Sequence, residues 1–297
     1  MKMFEFYVPE EKRVRVIIDS DAACEADDPF AIAHALMSPK LAVKAVTAEH
    51  FAQKDSMERS FRVIRKLTDI MGADVPVLRG EEWGAQANGI SEGVQFIIEE
   101  ARKEEHTPLY VLCLGALTNL ATAFSLAPDI VKKLTVISVG GRSYDNSQET
   151  LKEFNFGNDI KAANAVINSE AAFWQIPAGA YGRMRIGLAE LQRRVSCCGD
   201  VGKYLFEQMN TFNQSKEACW TLGESWSLGD SAAVAVVLDP ECGRYRNIRS
   251  GHVNEDTSYS FEGEGRMIRE YISVESRYVI EDFISKLEIC YGGNSRE

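Results

Sequence analysis

No stretch of this 297-residue chain reaches the roughly 18 consecutive apolar residues that a membrane-spanning helix requires, so no segment reads as a bilayer span. Residues 1–15 lack the apolar core of a secretory signal. Cysteine is sparse: seven residues, scattered without a C-x-x-C pair or a zinc-ligand spacing. That excludes a disulfide scaffold and a zinc module. The adjacent Cys197 and Cys198 read as incidental, and the thiols as reduced and mostly buried, which fits a cytoplasmic protein. Repeats, low-complexity tracts and Pro/Gly/Ser linkers are also missing. Positive charge is in deficit, with 33 Lys+Arg against 44 Asp+Glu and a net charge of −11. Nucleic acid is bound chiefly through Lys and Arg on phosphate, and anionic membranes attract basic segments, so neither is an expected partner. A phosphorylated substrate is disfavoured on the same ground. A neutral or cationic small molecule, or a metal ion, suits this balance better.

What is present is ordinary globular composition, 45% apolar and 26% charged, enough for a sizeable core. Apolar runs predict strands over 14–19, 41–47, 75–78, 109–114 and 134–139. Helical patterns alternate with them: from Asp27 or Asp28 to Met37, over 56–71 with a stop at Gly72, over 91–103, from 118 to about 127, and over 160–168. The last third is less regular, with helices over 201–213 and 230–238, a strand over 267–274 and a final helix over 276–289. The expected fold is a single α/β domain over 1–297, an open, mostly parallel central sheet flanked by helices, with an irregular C-terminal cap.

The most informative segment is Asp19-Ser20-Asp21-Ala22-Ala23-Cys24-Glu25-Ala26-Asp27-Asp28, between the first strand and the first helix. Asp27 or Asp28 can be explained as a helix cap, where a carboxylate meets free N–H groups. Asp19 and Asp21 cannot, since they leave the carboxyl end of a buried strand, the edge where open α/β sheets bind ligands. So many carboxylates in one place repel unless a cation neutralises them, and oxygen-only donors suit calcium or magnesium.

This segment resembles the D-T-D-P-G-x-D-D signature of the inosine–uridine-preferring nucleoside hydrolase family, with Ala22-Ala23 in place of Pro-Gly and two extra residues before Asp27. Four further segments are similar to that family in order: Gly115-Ala116-Leu117-Thr118-Asn119-Leu120-Ala121, Val139-Gly140-Gly141, Glu153-Phe154-Asn155 with Asp159, and Asp230 before Asp239-Pro240. The resemblance implies metal-dependent hydrolysis of the N-glycosidic bond of ribonucleosides by a homodimer or homotetramer. It implies a calcium ion (or magnesium) on Asp21, Asp28, Asp230 and the Leu114 carbonyl, with Asp21 as general base and Asp19 orienting the loop from behind. It places Asp27 and Asn155 on the 2′- and 3′-hydroxyls, Glu153 on the 5′-hydroxyl, and Asn146 beside them.

The chain departs from the family where the leaving base is handled. Gly229 stands where a histidine usually precedes the late aspartate, and Glu49, His50 and Gln53 occupy the place of an early asparagine loop. His50 is therefore a candidate proton donor, and Trp83 and Trp226 are candidate stacking partners, which favours purine nucleosides. Each has a plainer reading, and Trp226 reads equally as core. His34 reads as a core histidine, Thr118-Asn119 as a helix cap, Asp159 as the cap of the helix at Ile160, and Arg269 and Tyr271 as either site or strand faces. Two other functions compete: a phosphohydrolase with Asp19 as nucleophile, and a ribose- or nucleoside-binding protein with weak or lost hydrolysis.

Overall fold

The computed structural model describes residues 4–84, 90–145, 151–261, 263 and 265–293. The first half alternates β1 (Val14–Ser20), α1 (Asp28–Leu36), β2 (Leu41–Ala48), α2 (Ser56–Met71), β3 (Val77–Arg79), α3 (Glu92–Arg102), β4 (Leu109–Cys113), α4 (Thr118–Leu126) and β5 (Thr135–Val139). Then come α5 (Phe154–Asn158), α6 (Ile160–Ile167), β6 (Ala172–Ile176), α7 (Ala178–Tyr181), β7 (Arg185–Gly187), α8 (Leu188–Glu190), α9 (Gly199–Asn213) and β8 (Ser225–Ser227). The chain closes with α10 (Ser231–Leu238), β9 (Gly243–Arg249), β10 (His252–Val253), β11 (Tyr259–Ser260), β12 (Met267–Val274) and α11 (Ser276–Tyr291).

Eight strands form one sheet in the order β3-β2-β1-β4-β5-β6-β12-β9, parallel except for β9, which runs antiparallel along β12. β1 is buried on both faces, which is why its sequence is a continuous apolar run and not an alternating one. Val16 and Ile18 pack under α1, α10 and α11, while Ile17 packs under α3 and α4. The predicted stop at Gly72 is a left-handed C-cap at φ 62°, with its N–H bonded to the Asp69 carbonyl.

The C-terminal third is more ordered than expected. β6 and β9 had no counterpart in the sequence reading, and they extend the sheet on either side of β12. β6 is only five residues long and carries the buried, polar Gln175, so its apolar signal is weak. The irregular part is confined to loops, the short antiparallel pair β7 and β8, which α8 and α9 separate in the chain, and the short hairpin β10–β11. No helix among the described residues is long and apolar enough to cross a membrane.

Two features of the sheet shape its carboxyl edge. From β1 the chain moves outward to β2 and β3 and then returns to β4, so the carboxyl ends of β1 and β4 diverge into a crevice. In addition, the β1–β2 pairing shifts register: Val16 faces Val43 but Ile17 faces Ala45, so Lys44 is an extra residue in β2.

Candidate active site

The loop after β1 and the turn after β4 meet at the crevice. A small cavity of about 80 Å³ there is lined by Asp21, Asp27, Asp28, Asp230, Asn155 and Leu114, among others. Five of the proposed side chains and the proposed carbonyl residue thus come together from four separate stretches of chain. One oxygen from each of Asp27, Asp28 and Asp230 lies within 4.8 Å of the others. Asp21 faces the same cavity, and its Oδ2 is buried without a hydrogen-bond partner.

The helix-cap explanation fails for two of these groups. Asp27 is the N-cap of α1 and Asp230 the N-cap of α10, yet neither side chain makes a capping hydrogen bond. Both are more than nine-tenths buried. Carboxylates at caps ordinarily accept an N–H of their own helix; here Asp27 Oδ2 instead accepts the Asp230 N–H at 3.4 Å, and both carboxylates line the cavity. Burial above all, followed by repulsion from neighbouring acids, raises Asp21, Asp27 and Asp230 well above the usual carboxylate range. Burial pushes Asp28 up to about 6 against a bond from Ser20 Oγ at 2.5 Å. An oxygen-only donor set, one orphaned carboxylate oxygen and this mutual repulsion fit a hard divalent cation.

Asp19 lies behind the cavity, fully buried. Its Oδ1 accepts from Thr47 Oγ1 at 2.5 Å and Asn119 Nδ2 at 2.8 Å, and its carbonyl accepts the Leu114 N–H. It ties the ends of β1, β2 and β4 together and so fixes where Asp21 and Leu114 emerge. Asn119 is the hub of this arrangement: its Nδ2 also reaches the Ala48 carbonyl, its Oδ1 accepts the Glu81 N–H, and its own N–H is taken by Glu49 Oε2. The cap reading of Thr118-Asn119 missed this role, because every partner but Glu81 lies in β1, at the end of β2 or one residue past it. Asn155 Nδ2 donates to the Leu114 carbonyl at 2.7 Å and to the Val139 carbonyl at 2.8 Å, so one side chain aligns the ends of β4 and β5.

Glu153 stands one step away. It caps α5 by accepting from the Asn155 and Phe156 N–H groups, and it accepts the Tyr181 hydroxyl at 3.1 Å. It lines a second, larger cavity of about 630 Å³ that adjoins the first.

The base-handling residues are arranged differently from the sequence reading. Trp226 is wholly buried against Phe212 and Trp220 and lines neither cavity, so it is core and not a stacking surface. Trp83 is half exposed and also lines neither cavity. His50 is committed elsewhere: its Nδ1 accepts the Ala52 N–H, and its Nε2 meets Thr118 Oγ1 at 2.9 Å, whose hydroxyl donates to Asp159 Oδ2. Burial lowers its pKa, so the ring is neutral and its one N–H is used. Asp159 does cap α6, accepting the Ala162 N–H. His34 is a core histidine bonded to Asp282 at 2.7 Å. Arg269 stacks over Trp174 and Tyr245, and Tyr271 is buried with its hydroxyl on the Pro240 carbonyl; neither lines the site. Asn146 lies outside the described residues.

The sequence reading did not single out Trp220, Tyr181 and Phe154, which line the larger cavity. Tyr181 follows the undetected β6, and Trp220 sits in an irregular segment with no periodicity to orient it. Glu25, within the quoted acidic cluster, lines both cavities.

Comparison with known proteins agrees with this geometry. The family described as "Inosine-uridine preferring nucleoside hydrolase" matches residues 16–277. The pyrimidine-specific ribonucleoside hydrolase RihA of Enterobacter sp. (strain 638) is 25% identical over 258 residues, 76% of this chain and 79% of that one. The non-specific ribonucleoside hydrolase RihC of Klebsiella pneumoniae (strain 342) is 28% identical over 182 residues, 53% and 59% of the two chains. The solved structure of a purine-preferring ribonucleoside hydrolase from Gardnerella vaginalis superposes with a TM-score of 0.75 at 21% identity, over 93% of this chain and 99% of that one. The match runs unbroken from β1, which launches the acidic loop, past α10, which carries the distant aspartate: the chain belongs to the inosine–uridine-preferring nucleoside hydrolase family, whose members are N-glycosidases.

Proposed function

We propose that this protein hydrolyses ribonucleosides to ribose and free base with the aid of a divalent cation, calcium by preference, and favours purine nucleosides. The observation that carries the reading is the buried carboxylate cavity, in which Asp27 and Asp230 forgo their capping bonds and Asp21 Oδ2 has no partner. Asp21, Asp28, Asp230 and the Leu114 carbonyl would hold the cation. When bound, it offsets the carboxylate charge and acidifies water.

The chain's own residues do the rest. Asp21 accepts the proton of the attacking water as general base. Asp27 and the free Oδ1 of Asn155 accept ribose hydroxyls. The surrounding carboxylates offset the positive charge that grows on an oxocarbenium-like sugar. The inner cavity has room for several waters or one sugar ring, so the base extends into the larger cavity. Trp220, Tyr181 and Phe154 offer it aromatic surface there, and Gly229 offers no acid. A stacked purine can take its proton at N7 from solvent, which supports the purine preference.

Gly229 also favours a second reading, a nucleoside-binding protein with weak hydrolysis. Turnover of p-nitrophenyl riboside decides between them, because its leaving group needs no acid. Cleavage that disappears with chelator supports the hydrolase, and binding without cleavage leaves only the second. The homodimer or homotetramer implied by the resemblance is tested by light scattering on the purified chain.

A further inference from the structure

The two cavities share a wall formed by Glu25, Asp27, Phe154, Tyr181 and Gly229. Beyond that wall the charge changes sign. Among the charged residues that line only the outer cavity, Arg142, Lys152 and Arg185 face a single acid, Glu153. The Glu153 carboxylate is already occupied by two backbone N–H groups and the Tyr181 hydroxyl. Arg142 is held in place through Nε on Thr257 Oγ1 at 3.2 Å and its guanidinium on the Asp256 carbonyl. Among the described residues, neither Lys152 nor Arg185 has a carboxylate within ion-pair distance.

Three cations lining one cavity run against the bulk composition of a chain with a net charge of −11. Charges farther than about 8 Å are largely screened at physiological ionic strength, so a ligand in this cavity meets the local charges and not the net charge. Those are the three cations, the occupied Glu153, and Glu25 and Asp27 at the border with the inner cavity, where a bound cation would offset them. The large apolar side chains of the lining are open, with Leu151 84%, Trp220 47% and Phe154 44% exposed. Side chains of this kind at the mouth of a site ordinarily cover a ligand.

We propose that the outer cavity binds an anionic group, a phosphate or carboxylate, carried by the ribosyl substrate, so that the preferred substrate is an acidic ribonucleoside derivative and not a neutral nucleoside. Lys152 and Arg185 bind the anion directly, the guanidinium offering a paired N–H fork and the ammonium a point charge, and Arg142 backs them. The proposal rests on the hydrolase reading above. The anion has two sources, a phosphate on the ribose 5′-hydroxyl or a carboxylate on the base.

The experiment compares kcat/KM for inosine 5′-phosphate with inosine, and for orotidine with uridine, with p-nitrophenyl riboside as a neutral reference. In parallel, ribose 5-phosphate, orotate and ribose are titrated calorimetrically, which needs no turnover. We expect at least a tenfold preference for the charged member of one pair, and that pair identifies the source. The charged-to-neutral ratio should fall at least tenfold in the Lys152→Ala/Arg185→Ala double variant and should fall with added salt in the native protein. Both side chains are exposed, and a melting curve checks that the variant folds. If p-nitrophenyl riboside is cleaved while both ratios stay at or below one, or are untouched by the double variant, the anion site is overturned and the hydrolase reading stands. If nothing is cleaved, the hydrolase reading fails and the titrations decide: either anion binding at least tenfold tighter than ribose, and losing that in the variant, supports the cavity assignment, and no such difference overturns it.

Discussion

Gly115 passes so close to Asp21 that a Cβ at position 115 would lie 2.6 Å from the Asp21 carboxyl carbon. The turn after β4 is thus shaped around the side chain that leaves β1. Gly115→Ala should push the carboxylate off its position while adding only one methyl group. Displacements near 1 Å at a reacting centre cost about 10²-fold. A kcat lowered roughly 10- to 100-fold is therefore expected at saturating calcium. Full activity in this variant would show that the position of Asp21 is unimportant.

Replacing Asp21 itself should do more. Asp21→Asn keeps the volume and removes a charge, a proposed cation ligand and the proposed base. Loss of a general base alone costs about 10²–10⁴-fold, and we expect kcat to fall at least about 10³-fold. Asp159→Asn removes charge from a carboxylate that caps α6 and holds Thr118, and should lower stability by about 1 kcal/mol. Steady-state kinetics paired with urea denaturation of each variant separates the two effects.

Cation binding should be written into the pH dependence of stability. The Asp19 and Asp28 carboxyls are pushed up to about 6 from their ordinary 3.8, chiefly by burial. Between those values the cation-free fold holds more protons than the unfolded chain. Their contribution to stability is fully present below pH 3.8 and is lost as pH rises through about 6. Burial holds His34 and His50 below their usual value, an opposing effect that cancels when the same pH is compared with and without calcium. Calcium at a hundred times its Kd adds about 2.7 kcal/mol. The calcium-induced rise in Tm should be clearly larger near pH 7.5 than near pH 5, and equal rises would contradict a site built from these acids.

The aromatic lining predicts a selective effect. Inosine should exceed uridine at least tenfold in kcat/KM. Trp220→Leu should lower inosine turnover more than p-nitrophenyl riboside turnover, because only the former needs help at its base. His50→Ala should alter stability and leave the ratio of the two substrates unchanged, since His50 is locked to Thr118. A ratio that moves with His50 and not with Trp220 would return the proton-donor role to the histidine.

The parts of the site legible in the sequence are those announced by local signals. Asp19 to Asp28 follow a fully buried strand, and Asp230 precedes a helix of small apolar residues, so position and chemistry coincide within a few residues. The misread parts depend on distant partners. His50 reads as a free donor until Thr118 and Asp159, from α4 and the start of α6, are seen to occupy it. Trp226 lies in a three-residue strand, too short for alternation to tell its inward face from its outward one, whereas Trp220, six residues earlier, has its ring at the cavity. Likewise β6 was missed because the polar Gln175 interrupts its short apolar run, and with it Tyr181, which α7 delivers to Glu153.

The extra residue in β2 sits far from any catalytic atom, yet it governs parity. Side chains alternate between faces along a strand, so each residue beyond Lys44 presents the face opposite to the one an unbulged strand would give it. Thr47 reaches Asp19 only on those terms. Deleting Lys44 would remove nothing from the cavity and would leave Thr47 opposite Asp19, because Ala45 already follows Val43 in the pairing with β1; a residue inserted between Ala45 and Thr47 would instead turn Thr47 away. The bulge therefore marks a point in β2 where the chain can change length by one residue while Thr47 keeps its partner, whereas a residue added between Ala45 and Thr47 would need a second bulge to do the same.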